Sequence, residues 1–112
     1  MAELYLDVVL LEELRDILED EFPSLISTYI QDSGVRVDDL RQAMTRGDTE
    51  AARKAAHNLK GSSANLGLVY LADLCRIVED AARAGQLAGQ EAYMLLIQQE
   101  QQHAVVLLRD RL

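Results

Sequence analysis

The chain has 112 residues, 49% of them apolar, with 11 Lys and Arg against 19 Asp and Glu for a formal charge of −8, and a single proline. That describes one soluble domain with one core, and it leaves no room for a nucleotide-binding domain joined to a substrate domain. The acidity and the scarcity of rings (Phe22, Tyr5, Tyr29, Tyr70 and Tyr93) argue against nucleic acid, which requires cationic grooves and stacking platforms.

Breakers are few, Pro23 and the glycines at 34, 47, 61, 67, 85 and 89, and between them lie mostly helix-favouring Leu, Ala, Glu, Gln and Arg. Leu10, Leu14, Ile17 and Leu18 mark the inner stripe of a short first helix over 7–18, closed before Pro23. Phe22, Ile26, Tyr29, Ser33, Val37, Leu40 and Met44 recur at steps of four and three over 22–46. One stripe therefore passes straight through Gly34 and predicts a single helix about 37 Å long at about 1.5 Å per residue. Gly47 ends it, and Asp48 is the N-cap of a third helix over 48–66 that Gly67 stops. Leu68, Leu71, Leu74, Cys75, Val78 and Ala82 give the stripe of a fourth over 68–84, ended at Ala84-Gly85. Tyr93, Leu96, Ile97, Ala104, Leu107 and Leu108 give that of a fifth over 90–111. Short connections make neighbours antiparallel. The expected fold is all-α, an antiparallel up-and-down four-helix bundle with the short N-terminal helix as a cap across one end, forming one domain over 1–112.

Cys75 is alone, so neither an intrachain disulfide nor a cysteine metal cluster can form, and a reducing, cytoplasmic setting is expected. The start of the chain carries no positive charge before Asp7 and only a short apolar run after it, so no secretory signal is expected. No stretch approaches the roughly 18 uninterrupted apolar residues of a membrane span.

The third helix carries the chemistry. It holds a glycine, Gly61, which costs about 1 kcal/mol relative to alanine in a helix, and a histidine, His57, in an alanine-rich run. With about 100° per residue and His57 at zero, Ala52, Ala55, Leu59, Ser63 and Leu66 cluster between about 160° and 240°. The core face is thus opposite the histidine. Arg53, Lys54, Lys60, Gly61 and Ala64 fall within about 60° of it on the outer face. The missing side chain at Gly61 clears an approach to the imidazole, while Arg53, Lys54 and Lys60 concentrate positive charge around it in an otherwise acidic protein. An exposed imidazole with a nearby ammonium suits a phosphoryl acceptor: the neutral ring attacks phosphorus, and the cation offsets the charge of the phosphohistidine.

The run His57-Asn-Leu-Lys60-Gly61-Ser-Ser-Ala-Asn-Leu-Gly67 resembles the active-site helix of histidine-containing phosphotransfer (HPt) domains, whose pattern is His-x-Leu-Lys-Gly, small residues, then Leu-Gly. The resemblance extends to the Gly47-Asp48 turn and to Leu71, Leu74, Cys75 and Glu79, and so covers nearly the whole chain; it departs at Asn58, where Ser or Thr is common. It implies a stand-alone phosphorelay carrier in which His57 bears the phosphoryl group, Lys60 supports it and Gly61 gives access. It also implies partners that are receiver domains of hybrid sensor kinases and response regulators. These supply the aspartyl phosphate, the Mg²⁺ site and most of the catalytic power, so no metal or cofactor is expected in this chain. A monomer without nucleic-acid or membrane partners is expected.

Docking candidates are Arg53, Lys54 and Ala64 around the histidine, and Val8, Val9 and Leu11, which lie off the main stripe of the first helix and suit an exposed apolar patch. Basic residues on a helix exterior are also ordinary solvated surface, and the three apolar ones are equally the contacts of a capping helix. His103 has no ligating neighbour at i+3 or i+4 and is taken as structural; Cys75, on an inward stripe, is taken as a small buried hydrophobe. Autokinase activity is not expected, since no Gly-rich phosphate loop is present. The competing function is a helical adaptor that binds a signalling partner without chemistry, which leaves Lys60 and Gly61 without a purpose.

Overall fold

The computed structural model describes residues 5–112. Five α-helices lie wholly within the described residues and follow one another: α1 (Val8–Leu18), α2 (Phe22–Arg46), α3 (Thr49–Asn65), α4 (Val69–Arg83) and α5 (Glu91–Arg109), with a 3₁₀ turn at Glu19–Glu21 between the first two. Among the described residues there is no strand. The four longer helices form an antiparallel bundle, and with α1 across its end the described structure extends 42 by 26 by 19 Å, the 25-residue α2 being its longest helix.

Local chemistry sets the helix ends. Asp7 and Asp48 stand just outside α1 and α3 as N-caps, each side chain accepting from a backbone N–H of the first turn, Leu10 at 3.1 Å and Ala51 at 3.0 Å. Pro23 opens α2, where its missing N–H has no helical partner to lose. Gly47 closes α2 in the left-handed region at φ 70°. Gly67 combines φ 77° with a close approach: a Cβ there would meet the Asp7 carbonyl oxygen at 2.9 Å. The Asp7 N–H donates to the Gly67 carbonyl at 2.6 Å, so this glycine lets the chain entering α1 lie against the α3–α4 turn.

α1 caps the end of the bundle where α2 and α4 begin and α3 and α5 finish. Its hold is polar as well as apolar, because the Arg15 guanidinium donates to the Arg111 carbonyl and stacks 5.3 Å over Phe22, while Arg111 donates to Glu12 at 3.1 Å. The inner face of α1 differs from the expected one. Leu11 is 1% exposed and belongs to the core, Val8, Leu14 and Leu18 pack against it, and Ile17 is 75% exposed. Leu11 is therefore no docking residue. The helix is rotated so that residues spaced from Val8, not from Leu10, face the bundle, because the tie from Asp7 to Gly67 fixes where its first turn begins.

Along α2 the buried residues are Phe22, Ile26, Tyr29, Ser33, Val37, Leu40 and Ala43, with Met44 half-buried beside them. The core of α4 is Leu71, Leu74, Cys75, Val78 and Ala82, together with Glu79. In α5 the inner stripe is Met94, Ile97, Gln101, Ala104 and Leu108, and Leu96 is exposed. Buried polar side chains on these stripes pair across helices: Tyr29 with Ser63 at 2.7 Å and Gln101 with Ser33 at 3.0 Å. Their pairing is what makes them tolerable in a bundle interior.

Candidate functional site

α3 presents its Ala52, Ala55, Leu59 and Ser63 side to the core and leaves His57 on the outside, with the side chain 59% exposed. Gly61, one turn on, has open space where a side chain would stand, since no atom lies within 4 Å of an added Cβ. The ring is nevertheless fixed. Its Nδ1 lies 2.9 Å from Oε2 of Glu79, a carboxylate 1% exposed that projects from α4 into the α3–α4 seam. Sequence reasoning assigned Glu79 no role.

Glu79 gathers three cationic or protic partners. Lys60 Nζ lies 2.7 Å from Oε1, and Arg83 Nη2 donates to Oε2 at 2.8 Å. Burial pushes the Glu79 carboxyl up, but the hydrogen bonds from Lys60 and His57 outweigh it and hold the group below the ordinary carboxylate range. It is therefore ionised at neutral pH and can only accept. A neutral imidazole facing it must place its proton on Nδ1, which leaves the lone pair on Nε2. In that tautomer Nε2 is the ring atom able to act as a nucleophile.

Lys60 thus differs from a free surface ammonium: it is half-buried and anchored on Glu79. Arg53 is likewise engaged, its Nη2 2.6 Å from Glu50 Oε1. Lys54 and Ala64 are exposed on the same helix. Val9 is exposed and Val8 half-buried, both on α1 at the end of the bundle. Cys75 is buried one turn before Glu79 and its thiol is pushed up to about 12 by burial, with the Glu79 charge adding to the effect, so it is an inert hydrophobe. His103 does have a carboxylate neighbour, on the side opposite to the positions considered from the sequence: its Nδ1 lies 3.2 Å from Glu100 Oε1 at i−3, and the Tyr5 ring packs edge-on at 5.0 Å.

Among the described residues, no three His, Cys, Asp or Glu side chains converge as a metal site, and no helix is long and apolar enough to cross a membrane. Beside α3 an apolar groove of about 330 Å³ runs between Leu14, Leu25, Thr28, Ser62, Asn65 and Leu66, joining α1 and α2 to the histidine helix.

The Hpt domain family model matches residues 24–107. No curated protein matches the chain. Among solved structures, the crystal structure of histidine-containing phosphotransfer protein B (HptB) from Pseudomonas aeruginosa PAO1 is similar at 36% identity and a TM-score of 0.92, over 96% of this chain and 93% of that one. The match takes in α3 with His57 and α4 with Glu79, the two helices whose seam prepares the ring, and the chain belongs to the Hpt domain family, the histidine phosphotransfer proteins of phosphorelays.

Proposed function

We propose that His57 is the phosphoryl acceptor, taking the group from the aspartyl phosphate of one receiver domain and passing it to the aspartate of another. One observation carries this: an exposed ring whose Nδ1 faces a buried, ionised carboxylate, leaving Nε2 free beside the gap at Gly61. Nε2 forms its bond to phosphorus as the acyl phosphate bond to the receiver aspartate breaks. The ring keeps its Nδ1 proton, and Glu79 stabilises the positive charge that develops on the imidazole. Lys60 is the phosphate-supporting cation, held in place by Glu79 and near enough to the ring to offset phosphoryl charge. Gly61 admits the partner. Mg²⁺ belongs to the receiver, and no autokinase activity resides in this chain.

Receivers of hybrid sensor kinases and of response regulators are the partners, binding a monomer. They dock on the outer face of α3, over Lys54 and Ala64 with Arg53 at the margin, and along the groove towards α1, where Val9 is exposed. An adaptor without chemistry has no use for a buried carboxylate aimed at an exposed ring, and burying such a group is costly.

The test is incubation with a phosphorylated receiver. Label that is acid-labile and base-stable, and absent from His57→Gln, is the expected result. Label that persists in His57→Gln places the acceptor elsewhere, and failure to take label from any receiver favours the adaptor.

A further inference from the structure

Arg83, in the last turn of α4, has no part in the transfer chemistry set out above. Its Nη2 donates to Glu79 Oε2 at 2.8 Å, the same oxygen that lies 2.9 Å from His57 Nδ1. Guanidinium and imidazole therefore share the two lone pairs of one oxygen, and Lys60 holds the other oxygen at 2.7 Å. The second arm of Arg83 is fixed on Asp80 at 3.3 Å, and Asp80 meets Arg76 at 3.4 Å, which pairs in turn with Asp73 at 2.8 Å. A pair four residues apart between exposed side chains contributes little to a helix. This one differs because its carboxylate is buried.

The charge balance around the ring gives the pair a purpose. A lone buried carboxylate beside an imidazole favours a second proton on the ring, and a doubly protonated ring has no lone pair to offer phosphorus. The charged group in contact with His57 is Glu79 from α4, which also holds Arg83 and Lys60, while Lys54 and the Arg53–Glu50 pair share the outer face of α3 by helical phase. Glu79 thus meets two cations besides the ring.

We propose that Arg83 is a positioning residue for the acceptor ring: by filling the second lone pair of Glu79 Oε2 it fixes the carboxylate in the orientation that accepts from Nδ1–H, and it offsets the carboxylate charge that draws a second proton to the ring. This rests on His57 being the acceptor, and the experiment separates the two claims.

Long-range ¹H–¹⁵N spectra of the His57 ring from pH 5 to 9 read the tautomer and the second protonation without any partner. Phosphoramidate serves as a donor independent of receivers: Nε2 bonds to phosphorus, the P–N bond to the amine breaks, and ammonia leaves with the electron pair. In Arg83→Gln the ring holds its second proton to higher pH than in the parent, the direction expected when a nearby positive charge is removed. Labelling at pH 7 falls by up to about threefold and recovers by pH 9, the size of loss expected for one unit charge removed in a water-like medium. Arg83→Lys restores both. An unmoved midpoint and tautomer in Arg83→Gln overturn the proposal, and so does an equal loss of labelling at every pH accompanied only by a lower melting temperature. Label that survives His57→Gln removes the acceptor assignment on which the proposal rests, a result independent of the ring titration.

Discussion

Replacing Glu79 with alanine removes the one group that joins His57, Lys60 and Arg83. Deleting one partner of a buried ion pair typically costs about 3–5 kcal/mol, because the survivor stays buried and charged. Here the survivors reach water: the Lys60 side chain is 33% exposed and that of Arg83 58%. Both rehydrate, which reduces the loss to about 1–2 kcal/mol. For a domain of this size that lowers the melting temperature by roughly 4–10 °C. The effect on the ring is larger in proportion. A hydrogen bond to a charged acceptor is worth about 1.5–3 kcal/mol, and water replaces part of it at an exposed ring, so the Nδ1–H tautomer loses about a factor of ten in the transfer rate. Glu79→Gln separates the two contributions, since its amide oxygen still accepts from Nδ1 while both ion pairs are lost; most of the transfer returns but not the melting temperature. Single-turnover transfer from a phosphorylated receiver, with thermal melts and ring spectra of each variant, measures all of this. An alanine variant that transfers at the parent rate, its ring still Nδ1-protonated, would show that Glu79 serves only the fold.

Gly61→Ala raises stability by about 0.5–1 kcal/mol, since a Cβ there meets nothing within 4 Å, whereas Gly61→Leu blocks transfer while leaving the helix intact, as melts and transfer assays on the same samples would show. Urea midpoints from pH 3 to 7 separate two carboxylates of opposite sign. Glu79 has a folded pKa below its unfolded one, so its contribution is present above the unfolded value and disappears as pH falls through the lower folded value; the parent loses more stability than Glu79→Ala over that acid window. Glu100 is raised by burial, only partly offset by His103, so its contribution is present below the ordinary carboxylate value and lost as pH rises through the folded one. Glu100→Gln therefore stabilises the protein at pH 7 but not at pH 3, and no gain at pH 7 would contradict this. Tyr29→Phe leaves Ser63 unpaired in the core and costs about 1–2 kcal/mol by denaturant titration. Leu11→Ala costs about 2–4 kcal/mol as a core truncation, whereas Val9→Ala stays within about 0.5 kcal/mol and weakens only receiver binding.

The bundle was legible because its longest stripes are regular. Phe22 to Leu40 on α2 and the apolar Leu71, Leu74, Cys75, Val78 and Ala82 on α4 keep helical spacing, so phase alone places them inward, although Ser33 and Glu79 share those inner faces. The stripe of α5 holds Ile97, Ala104 and Leu108 inward with Tyr93 and Leu107 packed beside them, but it misses Leu96, because Glu100 and Gln101 occupy inner positions while Leu95, Leu96 and Val106 face water, and hydropathy ranks those residues the other way. The first helix lies where its sequence places it, but Leu10 and Ile17 do not lie on its inner face for a related reason: its phase is set by the tie between Asp7 and Gly67, a contact between residues sixty positions apart. At the site, the outward position of His57 and the gap at Gly61 followed from the wheel of one helix. Glu79 did not, although a signal existed. It lies four residues after Cys75, about 40° away on the wheel, within the edge of the apolar arc. A carboxylate in that phase has to be paired, but its partners sit on α3, and the register between two helices is not written in the periodicity of either.

The burial of Glu79 also explains how a carrier can serve two partners with one ring. A histidine held by surface groups would have its contacts rearranged each time a receiver covered it, and its tautomer would depend on the partner. Here the group that sets the tautomer lies beneath the ring, in the α3–α4 seam, and no docking protein need touch it. On the proposed reading, the same Nε2 is then presented to donor and acceptor receivers alike. Specificity can be left to the outer face of α3 and the groove beside it, while the chemistry stays constant. On the proposed reading, the groups that stabilise the phosphohistidine are one buried carboxylate beneath the ring and one ammonium anchored on it. A site with further donors closing over Nε2 would bind the group more tightly and slow its departure; on the proposed reading, the open space at Gly61 leaves the transfer reversible.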